Sequence, residues 1–157
     1  MPDNNRTLAE SVVQTLKMHQ LWLKDRSKGR QAKMAGVNLS DIDLSKVNLR
    51  KAELPNAICC RTIFVEADLS DSDLFSADLH GADLTSANLK NAVMRGVMLK
   101  GAKLDHANLG GMPIFPNLSH SFNVPGQSKN ARARASMLSR GRASGNVFGS
   151  SNAVCAV

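Results

Sequence analysis

From Ala35 to Gly110 one five-residue phrase recurs in constant register: AGVNL, SDIDL, SKVNL, RKAEL, then VEADL, SDSDL, FSADL, HGADL, TSANL, and on to KGAKL and DHANL. A repeat of this kind constrains the fold before any local propensity does. The last residue of each phrase gives fifteen centres: Leu39, Leu44, Leu49, Leu54, Cys59, Phe64, Leu69, Leu74, Leu79, Leu84, Leu89, Met94, Leu99, Leu104 and Leu109. Two places before each centre stands a small or β-branched residue, such as Val37, Ala52, Thr62 or Ala82, and between the two lies mostly Asp or Asn. On an α-helix a five-residue step turns the leucine row by about 140° and scatters it around the cylinder. On a flat strand an odd step sends consecutive centres to opposite faces. Within one phrase, however, Ala82 and Leu84 point the same way while Asp83 points out, as on a very short extended side. The other two residues, often Ser, Gly, Lys or Asn, then turn a corner. Repetition winds the chain into stacked coils with the apolar pairs inside and all fifteen centres in the core.

The A-(D/N)-L-x-x pattern resembles the pentapeptide-repeat family. That resemblance implies an all-β solenoid, a right-handed quadrilateral β-helix with one phrase per side, and hence about four coils for this chain. Its twenty-residue period stacks Leu39, Cys59, Leu79 and Leu99 on one side, and Leu44, Phe64, Leu84 and Leu104 on the next. It also implies a helical lead-in at MHQLWL, matching the physical need to cover the first coil's open edge. Thr7 and Glu10 have capping-box spacing ahead of Leu8, Val12, Leu16 and Leu23, which predicts a capping α-helix from about Leu8 to Lys24 with Trp22 as a lid residue.

The expected organisation is a helix and basic linker over 1–34, a repeat β-helix over 35–118 that includes a short lid at Met112, Ile114, Phe115 and Leu118, and a disordered Ser/Gly/Arg-rich tail over 119–157. Charge follows these boundaries. Residues 36–110 carry eight Lys/Arg against ten acids, whereas residues 111–157 carry five against none. Any nucleic-acid or anionic-membrane attraction would therefore lie in the flanks. The opening MPDNNRTLAE has no continuous apolar core, and no run reaches the roughly 20 apolar residues of a membrane span, so a soluble, cytoplasmic protein is expected, and the family resemblance implies a bacterial one.

No catalytic residue, metal ligand set or cofactor is expected. His19, His80, His106 and His120 share no metal-binding spacing, no CxxC pair occurs, and Cys59 faces inward with Cys60 outward. Asp68, Asp73, Asp78 and Asp83 fall on four different sides, so they are read as acceptors for nearby backbone donors. The outward Ile58, Ile63, Phe75, His80 and Met98 form the candidate interaction surface, with Ile58, Ile63 and Val65 making an outer apolar patch. A non-enzymatic protein-protein interaction scaffold is the leading expectation, its protein partner unidentified, with a homodimer through a coil end as one arrangement. The resemblance also offers a DNA-mimicking binder of a type II topoisomerase (gyrase). The core's net charge of only about −2 departs from the strongly acidic rods of that group. Nucleic-acid binding through the basic flanks is the third reading.

Overall fold

A computed structural model describes residues 4–111, with side chains from residue 10 onward. One helix, α1 (Asn4–Lys24), precedes the repeats. It begins one turn before the expected start, because Asn4, Asn5 and Arg6 contain no helix breaker, and Thr7 therefore lies inside it rather than at its cap. The lid expected at 112–118 and the tail expected at 119–157 lie outside the described residues.

From Ala32 onward the chain winds as a parallel solenoid. Every bridge pairs a residue with the one twenty positions on, from Lys33 with Glu53 to Asn88 with Asn108, so four phrases make one coil. Each phrase contributes alternating inter-coil bonds. Leu39 N–H donates to the Ile58 carbonyl at 2.7 Å, Ile58 N–H donates back to Val37 at 3.0 Å, and Asp41 N–H reaches Cys60 at 3.1 Å. Each corner is closed by the amide three residues after a centre, as where Ala52 N–H donates to Leu49 O at 2.9 Å. Backbone polarity is thereby consumed within the coil walls.

The corner has a conformational requirement. The second residue after every centre has positive φ, from Gly36 at 65° through Lys51 at 62° to Gly111 at 70°. This is the third position of a turn that demands φ > 0. Only five of these sites are glycine; Lys46, Arg61 and Glu66 also adopt it. The left-handed conformation costs a non-glycine residue about 1–2 kcal/mol, which the flanking inter-coil bonds offset.

The core is the double row read from the repeat. Fourteen of the fifteen centres are buried, and Leu109, in the last phrase, is partly buried against them. Cys59 and Phe64 occupy the same coil, so a small centre beside a large one preserves filled volume. Burial pushes the Cys59 thiol up to about 12, with the Asp78 charge adding to the effect, so it stays protonated at neutral pH. Where the inner small residue is a hydroxyl, its donor is used: Thr62 Oγ1 bonds to Leu39 O at 2.7 Å and Ser72 Oγ to Leu69 O at 2.6 Å.

The ladder starts earlier than Ala35. Met34 N–H donates to Glu53 O and Glu53 N–H to Ala32 O, and both Ala32 and Met34 are buried. Arg30–Met34 is thus a further phrase, with Ala32 and Met34 as its inward pair. Its basic surroundings hide the pattern in the sequence.

Helix α1 joins this first phrase through apolar and polar contacts. Val12 belongs to the same buried cluster as the repeat core, and Leu16 packs against it. His19 is fully buried, its ring stacked on Trp22 with centroids 5.7 Å apart, and its Nδ1 accepts the Ala32 N–H at 3.0 Å. That acceptor role requires neutral imidazole with the proton on Nε2. Burial lowers the His19 pKa below 6.5, and the Arg50 carbonyl acts more weakly in the opposite direction. Below pH 6.5 the unfolded chain takes up a proton that the folded chain refuses, so stability present above 6.5 declines as pH falls toward the folded value. We expect the thermal midpoint of α1, followed by circular dichroism, to drop between neutral pH and about pH 5. His19→Asn keeps an acceptor without a titrating proton and flattens that slope. An unchanged slope in His19→Asn would rule out His19 as its source.

Candidate interaction face

The twenty-residue register sorts every outward side chain into columns. The first side carries Asn38, Ile58, Asp78 and Met98; the second Asp43, Ile63, Asp83 and Lys103; the third Asn48, Asp68, Asn88 and Asn108; the fourth Lys33, Glu53, Asp73 and Val93. The outward Asx residues act locally, as their chemistry predicts. Asp68, Asp73, Asp78 and Asp83 accept the backbone N–H two residues on, at 3.0, 2.9, 3.1 and 3.1 Å. The third side adds a side-chain ladder, Asn108 Nδ2 to Asn88 Oδ1 and Asn88 Nδ2 to Asp68 Oδ1, each 3.0 Å. That side is satisfied by its own amides.

The first side differs. Ile58 and Met98 stand one coil on either side of Asp78, so this column carries two apolar residues where the second and fourth carry one each, Ile63 and Val93, and the third carries none. Phe75 lies at the corner entering this side and is 40% exposed, beside Val93 of the fourth side at 41%. His80 occupies the opposite corner. Its Nδ1 lies against Asp78 Oδ1, which makes Nδ1 the protonated nitrogen. Asp78 is itself buried within this frame.

Four of the five candidate residues, Ile58, Phe75, His80 and Met98, therefore share one face. The fifth, Ile63, is 39% exposed on the second side. Cys60 and Arg61 form the corner between Ile58 and Ile63, so the apolar patch expected from Ile58, Ile63 and Val65 is split over separate sides. Cys60, expected to face outward, occupies a corner of the coil and is covered there. It is 1% exposed, held in the corner column between Ser40 and His80 one coil below and above. Val93 was missed because it fills a middle position held elsewhere by Asp or Asn, a departure that was visible in the phrase NAVM.

Among the described residues no group of three or more His, Cys, Asp or Glu could hold a metal ion, and no helix is long and apolar enough to cross a membrane.

A closed parallel coil with five-residue sides and a filled interior defines a repeat solenoid, a class that works through its outer surface. The chain belongs to the pentapeptide-repeat family: the profile for pentapeptide repeats matches it in 8 copies, over residues 30–58, 42–81, 52–91 and 72–111. Among solved structures it is similar to a pentapeptide repeat protein from the Arabidopsis thaliana thylakoid lumen, with 24% identity over 67% of this chain and 78% of that one and a TM-score of 0.42. It is also similar to HetL, a pentapeptide repeat protein involved in heterocyst differentiation regulation in the cyanobacterium Nostoc, with 27% identity over 54% of this chain and 43% of that one and a TM-score of 0.32. QnrB1, a plasmid-mediated fluoroquinolone resistance protein, shares 18% identity over 55% of this chain and 53% of that one, with a TM-score of 0.29. No curated protein matches the sequence.

Proposed function

We propose that this chain is a rigid, non-enzymatic scaffold for protein-protein interaction, and that its working surface is the first side with its two corners. The observation that carries the reading is the placement of Ile58, Met98 and the exposed Phe75 on one flat side, next to Val93, where solvation alone calls for polar residues. A filled core leaves the interior without space for a substrate. Mimicry of duplex DNA draws no support from the charge pattern, because the outward columns of all four sides carry a net charge of −1 each and no side concentrates the carboxylates.

The test is retention of host proteins on the immobilised full chain. Phe75→Ser combined with Val93→Ser is expected to lose the retained partner, whereas Ile63→Ser on the neighbouring side keeps it. Equal retention by wild type and the Phe75/Val93 double variant would show that the working surface lies elsewhere.

A further inference from the structure

We infer that the first side docks an acidic amphipathic helix laid along the solenoid axis, an inference that rests on the scaffold reading above. Charge complementarity identifies the partner's sign. The carboxylates on this face and its corners are already engaged: Asp41 receives both Arg61 Nε and Nη2 at 2.8 Å, and Asp78 accepts the His80 backbone and ring. The cations at the upper end of the same face are not so engaged. Arg95 lies over the Phe75 ring at 5.9 Å from its centroid, Lys100 stands at the opposite corner of that coil, and neither has a carboxylate partner among the described residues. A partner with apolar side chains for Ile58, Phe75 and Met98 and carboxylates for Arg95 and Lys100 matches this layout.

The backbone identifies the partner's form. Amides and carbonyls along the side walls are spent in inter-coil bonds, as with Ile58 N–H to Val37 O and Leu79 N–H to Met98 O. An added strand would find no ladder to join on this side. A helix satisfies its own backbone and presents only side chains. About four coils at roughly 4.8 Å span roughly 19 Å, the length of about 13 helical residues.

The experiment uses the full chain and two labelled synthetic peptides of matched length, one of leucine and glutamate in helical spacing and the other with lysine replacing glutamate, read by fluorescence anisotropy. The Glu/Leu peptide is expected to bind in a salt-sensitive manner. Phe75→Ser and Arg95→Glu are each expected to weaken it by about tenfold or more. Ile63→Ser is expected to leave it unchanged, and circular dichroism establishes that all variants are folded. Absence of binding, equal binding of the lysine peptide, or indifference to both Phe75→Ser and Arg95→Glu overturns the proposal. If such a failure accompanies Phe75-dependent retention of a host protein, the scaffold reading stands and the partner is not an acidic helix. If retention is also independent of Phe75, both readings fall.

Discussion

Leu84→Asp is expected to unfold the solenoid. Leu84 is fully buried, with Phe64 one coil below and Leu104 one coil above in its column, and its N–H donates to Lys103 O at 2.7 Å. The substitution removes about 1.5–3 kcal/mol of apolar burial. It also places a carboxylate where no described cation reaches it, at a further cost of several kcal/mol. A total of about 5 kcal/mol or more is comparable to the whole stability of a small domain. Solenoid coils are stabilised by their neighbours, so the loss spreads along the stack. The adjacent Asp83→Asn retains the acceptor that Thr85 N–H uses at 3.1 Å and is expected to stay within about 0.5 kcal/mol of wild type. Circular dichroism and chemical denaturation measure both. A Leu84→Asp variant with wild-type spectrum and midpoint would mean that the inward register is wrong.

The second large effect is at the helix junction. Gly29→Ala is expected to detach α1 from the first coil. A Cβ on Gly29 would fall onto backbone atoms of Met18, Leu21 and Trp22, which have no rotamer by which to move aside. The same approach carries the Arg30 N–H to Met18 O bond at 3.0 Å and brings Ala32 N–H to His19. Losing the dock exposes Val12 and the buried His19, a penalty of about 3 kcal/mol. Trp22 is the only tryptophan, so its emission reports the event directly and should shift to the red. Gly36→Ala separates conformation from space. Its Cβ meets nothing within 4 Å, but its φ of 65° is left-handed, so about 1–2 kcal/mol is expected without loss of the helix contact. Unshifted emission in Gly29→Ala, with an unchanged midpoint, would contradict the observed packing.

Most of the core was legible because its signal is local. An inward pair two residues apart, an Asx between them and a constant step of five are all visible within ten residues, and Leu39 through Leu104 are buried accordingly. The Asx role was legible for the same reason, since acceptor and donor are two residues apart, as in Asp73 and Phe75. The candidate face was legible only in part. Ile58 and Met98 are forty positions apart, and Phe75 and His80 flank them only after the chain has completed whole coils. The phrase at Arg30–Met34 was hidden because one Ala and one Met amid cations give a weak apolar signal, and it becomes a side only through its bonds to Glu53.

The period and composition of the sequence by themselves determined that the chain must close on itself, which side chains go inside, and which polar residues bind their own corners. The tertiary structure alone decided that Lys46, Arg61 and Glu66 take a left-handed corner against their own preference, that Ile63 is parted from Ile58 while Phe75 joins Met98, and that Gly29 must lack a side chain. The physical reason is range. A five-residue pattern encodes contacts within a phrase, whereas these outcomes are set by inter-coil hydrogen bonds and packing between residues about twenty apart, and by the helix that lies against the first coil.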